Sequence, residues 1–168
     1  MARFVHRIIA CAAIALLFST PAIAAVTANS QITAQTPNRG IVQFLEGTDV
    51  AGTYKTLYTG GANGSVCWGI SATTNDAAAA HVVTVQVTNG GVNYGGTAIN
   101  VPVSSGFTTT TTFIPPISIM TNWTGLPIDG NGNPYIYLAS ASDAIRATFA
   151  TALTASAVLN MIAVCADF

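Results

Sequence analysis

The feature that most constrains this chain is a series of short, β-branched segments separated by Gly- and Asn-rich turn signals. Residues 81–88 show it best: Val83, Val85 and Val87 fall on one side, and Thr84, Gln86 and Thr88 on the other. A period of two is what a half-buried strand requires, because successive side chains point to opposite faces. Further strands are read at 41–45, 54–59, 65–74, 92–94, 97–103 and 135–138, with Asn89-Gly90-Gly91 and Gly95-Gly96 as turns. Along 144–152, Ile145, Ala147 and Phe149 alternate with Arg146, Thr148 and Ala150, whereas 158–166 is almost continuously apolar and reads as a central strand covered on both faces. The Thr run 108–112 is strand-compatible, Pro115-Pro116 stops any ladder, and 117–123 has room for one helical turn. The expectation is an all-β chain forming a single antiparallel β-sandwich, jelly-roll-like.

Composition narrows what such a sandwich does. Of 168 residues 51% are hydrophobic and 7% charged, five Lys/Arg against six Asp/Glu. An average domain is about 25% charged. So few cations exclude a nucleic-acid binder driven by phosphate contacts. A positive mean hydropathy excludes charge-rich disorder. Much of the apolar content is small: Ala occurs 28 times, beside 23 Thr and 15 Gly.

Residues 1–24 read as a signal-peptide-like leader: Arg3 and Arg7 precede an apolar run at 8–18, and Ala22-Ile23-Ala24 fits an A-x-A cleavage site. The run is shorter than the roughly 20 residues a spanning helix needs. Once the leader is cleaved, no stable membrane span remains. Residues 25–40, small and polar, read as an extended arm, and 41–168 as the sandwich. After cleavage, Arg39, Lys55 and Arg146 oppose six carboxylates, a net charge of −3.

Cys11 leaves with the leader, and Cys67 and Cys165 remain. They are either one disulfide, closing a loop of about 100 residues worth up to ~4.7 kcal/mol in the chain-entropy model, or two buried thiols.

Catalytic signatures are scarce. His81 is the one near-neutral general base after the leader, and its place at a strand start suits an exposed or capping role. Glu46 and Asp49 are close in sequence without the marks of a glycosidase pair. Asp129, Asn131 and Asn133 have the spacing that opens a calcium loop, but Pro134 stands where glycine is needed and Ser140 where glutamate is, so a tight turn is the better reading. Asn122-Trp123-Thr124 is a glycosylation triplet by pattern. Tyr94, Phe107, Phe113, Trp123, Tyr135 and Tyr137 are either sheet-packing residues or the lining of a carbohydrate face. No catalytic residue, metal ligand or cofactor is assigned.

Three segments carry a resemblance: Asn75-Asp76-Ala77-Ala78-Ala79-Ala80-His81-Val82-Val83-Thr84-Val85, Leu126-Pro127-Ile128-Asp129-Gly130-Asn131-Gly132-Asn133-Pro134-Tyr135-Ile136-Tyr137-Leu138, and the ending Met161-Ile162-Ala163-Val164-Cys165-Ala166-Asp167-Phe168. Together they resemble small structural proteins encoded in the gene clusters of tailed phages and prophages. The resemblance implies a β-sandwich virion component, a capsid decoration or head/tail accessory protein. Its partners would be other virion proteins and further copies of itself. The leader and the two cysteines depart from that pattern, since a virion protein assembles in a reducing cytoplasm. Either the leader-like segment is a retained hydrophobic arm docking on another virion protein, or the chain is an exported periplasmic or cell-surface binding module of phage origin, with glycans as one ligand class. An enzyme ranks last.

Overall fold

The computed structural model describes residues 36–107 and 112–168; the leader, residues 25–35 of the arm and most of the Thr run lie outside the described residues. Nine strands follow in chain order: β1 (Thr36–Leu45), β2 (Lys55–Thr59), β3 (Ser65–Thr74), β4 (His81–Asn89), β5 (Val92–Val101), β6 (Ile117–Ser118), β7 (Ile136–Leu138), β8 (Asp143–Phe149) and β9 (Val158–Asp167). A 3-10 turn, Met120–Asn122, stands within the segment expected to hold one helical turn.

All pairings are antiparallel. One sheet runs β1-β9-β3, with β6 and β7 pairing different stretches of the far side of β3; the other runs β2-β8-β4-β5. With β6 and β7 sharing one place, the eight positions order as 1-8-3-6 and 2-7-4-5. That order is a jelly roll, two Greek keys folded into facing sheets. The protein is a jelly-roll β-sandwich.

Alternation builds its interior. Val83 and Val85 of β4, Ile145, Ala147 and Phe149 of β8, and Leu159, Met161 and Ala163 of β9 all point inward and are almost wholly buried. The rings of Phe44 and Phe149 meet between the sheets, centroids 5.1 Å apart at 58°. Each large side chain buried this way contributes about 1.5–3 kcal/mol. Where β1 crosses β2 the backbones nearly touch: a Cβ at Gly40 would collide with the Leu57 carbonyl.

Several expectations change. Pairing begins at Thr36, inside the segment read as an arm, because β9 offers ladder partners as far as Asp167. Gly95 and Gly96 do not turn the chain; they pair with Val87 and Gln86 in one continuous β5, with Tyr94 as a bulge residue. Glycine stands at 96 because a Cβ there would press on the Val85 carbonyl oxygen. The strand read as covered on both faces, β9, is central in its sheet but covered on one face only. Ile162 and Val164 point outward and are 38% and 53% exposed.

Candidate functional site

That open face carries exposed apolar side chains from three adjacent strands. In β9, inward Met161, Ala163 and Cys165 alternate with outward Ile162 and Val164. Ladder register sets Ile41 of β1 beside Ile162, and Arg39 beside Val164. On the other flank Val164 faces Gly69, next to a bulge that leaves Trp68 unpaired and 44% exposed. Pro37, Asn38, Arg39, Ile162 and Val164 line a shallow depression of about 530 Å³ on this face. Its polar margin is Gln43, whose amide donates to Asn160 Oδ1 at 2.9 Å. Among the described residues the Arg39 guanidinium has no ion-pair partner. Sequence reading missed this face because an unbroken apolar run does not say which of its residues a second layer covers.

The sequence-marked cysteines meet. Cys67 and Cys165 stand directly opposite in the β3–β9 ladder, buried, with their sulfurs bonded across 98 residues of chain.

His81 is neither exposed nor a simple cap; it is fully buried. Its Nε2 lies 2.7 Å from Asp76 Oδ2 and its Nδ1 lies 3.3 Å from the Thr151 hydroxyl. With Asp76 ionised, Nε2 carries a proton and its N–H donates a hydrogen bond to the carboxylate. In the neutral ring Nδ1 then accepts from Thr151. Hydroxyl, imidazole and carboxylate in a row resemble a catalytic relay, yet the carboxylate is occupied in holding backbone. Asp76 Oδ1 accepts the amides of Ala78 and Ala79, and Oδ2 that of Thr154. Burial pushes the Asp76 carboxyl up, but the bonds from His81 and Thr154 outweigh it and hold it far below the usual carboxylate range. The group ties the β3–β4 connection to the chain leaving β8.

A second polar hub closes the opposite end. Asp167 Oδ1 accepts the Ser65 and Tyr58 hydroxyls, each at 2.5 Å, and Oδ2 accepts the Asn38 amide at 3.1 Å. Ser65, then Tyr58 and Asn38, lower the Asp167 carboxyl against the opposing effect of burial. Burial and the adjacent carboxylate raise the Tyr58 phenol. Nothing in sequence spacing joins residues this far apart.

The remaining sequence candidates are structural in place. Asp129 Oδ1 accepts the amides of Asn131 and Asn133, and an Ile128–Pro134 bridge closes the tight turn. Among the described residues no group of three or more His, Cys, Asp or Glu is placed to hold a metal. Asp49 pairs with Lys55 at 2.6 Å rather than with Glu46. The Asn122 amide donates to the Ser118 carbonyl. Of the six aromatics, Tyr94, Trp123 and Tyr137 converge on one groove, while Phe107 and Phe113 lie between β5 and β6.

No protein-family model and no curated protein matches this chain. The class the fold and its open face define is a jelly-roll sandwich with an apolar outer sheet.

Proposed function

We propose that the protein is a non-enzymatic virion component, a capsid decoration or head/tail accessory protein, working by protein–protein packing. The observation that carries this reading is the outer face of β1, β9 and β3. Ile41, Ile162, Val164 and Trp68 stand open to solvent there beside Arg39, which has no ion-pair partner among the described residues. Exposed apolar surface of this kind marks interaction sites in stable proteins. An unpaired guanidinium at its edge suits a partner carboxylate, giving register more than affinity. The resemblance of three segments to phage structural proteins supports the virion setting, and a low-charge surface suits close packing with other virion proteins and with further copies of this chain. Mass spectrometry of purified particles from cells encoding the protein is the test. Its presence in stoichiometric amount is expected; its absence overturns the reading.

The bonded Cys67–Cys165 pair favours a second reading, an exported periplasmic or cell-surface binding module of phage origin. Disulfides persist in oxidising compartments and are rare in the cytosol. Fractionation with N-terminal sequencing tests it: periplasmic protein beginning at Ala25 is expected, and an uncleaved cytoplasmic chain overturns it.

A further inference from the structure

We infer that the groove between the β4–β5 hairpin and β7 binds a neutral saccharide chain. Two adjoining depressions, about 370 and 310 Å³, share Val87, Tyr94 and Tyr137 as walls. Trp123, Leu126 and Pro127 continue the wall on one side. Asn89 and Asp143 close it on the other. Gly95 and Gly125 also line it, and the space where their side chains would stand is open. The result is a trough open along its length, a shape that admits a chain.

Its chemistry selects the ligand. Tyr94 is 71% exposed and Tyr137 47% exposed, and Phe168 packs against Tyr137 with centroids 5.9 Å apart and steadies that ring. Aromatic faces carry partial negative charge and attract the C–H-rich faces of pyranose rings, while Tyr and Trp keep a polar handle at the edge. Neither Tyr hydroxyl nor the Trp123 indole N–H makes a hydrogen bond within the described chain, so all three are free for sugar hydroxyls. Asp143 is committed inward, accepting the Asn89 amide at 2.6 Å and the Ala139 amide at 2.6 Å. Among the described residues no Lys or Arg lines the groove to hold a uronate, sialate or phosphate. Apolar walls with a few oriented polar groups are the usual makeup of a ligand site.

This inference rests on the second reading for its biological setting, gives its glycan a place in the fold and narrows it to neutral saccharides. The test is therefore made in solution, where it fails or succeeds independently of where the protein is found. The full-length protein is titrated calorimetrically with cellohexaose, maltohexaose and chitohexaose, and with hexagalacturonate as the anionic comparison. Binding of at least one neutral hexasaccharide is expected, with Tyr94→Ala and Tyr137→Ala each weakening it about tenfold. Tyr94 is so exposed that its truncation leaves folding intact, and that variant alone decides if Tyr137→Ala fails to fold. No neutral binding up to millimolar sugar, affinity unchanged in Tyr94→Ala, or tighter binding of hexagalacturonate overturns the inference.

Discussion

Tyr58 and Asp167 join the two sheets: the phenol of β2 donates a 2.5 Å hydrogen bond to the last carboxylate of β9. Tyr58 is 5% exposed, and Ser65 and Asn38 share the same carboxylate. Removing the acceptor strands buried hydroxyls, which costs about 1–3 kcal/mol. Asp167→Ala is therefore expected to destabilise more than Tyr58→Phe, which leaves Ser65 and Asn38 in place. Urea unfolding of the two variants measures the difference; equal effects would show that the hub is not cooperative.

Acid should unfold the sandwich through its low carboxyls. Asp76 and Asp167 both titrate below their ordinary value in the folded state. The stability they confer is fully present above the unfolded carboxyl value of about 4 and drains as pH falls through the folded values. Asp76→Asn replaces one accepting oxygen with an amide that cannot accept from the His81 ring and the Ala78, Ala79 and Thr154 amides as the carboxylate does, and is expected to cost about 1–3 kcal/mol at neutral pH. The same change should flatten the loss of stability with acid. Thermal denaturation from pH 7 down to pH 2 checks both, and an acid slope as steep as that of the unsubstituted protein would contradict the assignment.

The Cys67–Cys165 bond lies within the core, so iodoacetamide should label neither cysteine until the protein is both reduced and unfolded. Replacing both by Ala is expected to lower stability by about 2–5 kcal/mol. Alkylation of the native, unreduced protein would show the thiols free.

Gly40 holds the crossing of β1 over β2. Gly40→Ala drives a Cβ into the Leu57 carbonyl. Forcing the strands apart should cost about 1–3 kcal/mol, read as a lowered denaturation midpoint. Gly47→Ala, whose Cβ meets nothing nearby but sits at φ 71°, separates backbone strain from this steric effect.

Much of the sandwich is legible in residues alone because a period of two survives in β4 and β8, where inward Val83, Val85, Ile145 and Phe149 alternate with Thr84, Gln86 and Arg146. It fails where chemistry and position part. Gly95-Gly96 have turn composition but pair with Val87 and Gln86 in a continuous strand, and at Gly96 the close approach of the Val85 carbonyl leaves no room for a side chain. Ile162 and Val164 have core composition but face solvent, since sequence records the character of a strand and not the layer opposite it. The cysteines could be named in advance, but their opposition needed the register of β3 and β9. Asp167, Tyr58, Ser65 and Asn38 had no local signal at all; four strands bring them together.

If the outer face of β1, β9 and β3 docks the protein onto a virion, as proposed, charges placed there should keep it out of particles. Ile162→Lys with Val164→Lys places two charges on that face while leaving the inward Met161, Ala163 and Cys165 untouched. Quantitative mass spectrometry of particles from cells expressing the unsubstituted protein or this variant measures the difference. The unsubstituted protein should be present at fixed stoichiometry, and the variant, folded and abundant in the lysate, should be depleted about tenfold or more from particles. Equal incorporation of the folded variant, or particles lacking the unsubstituted protein, would contradict the account.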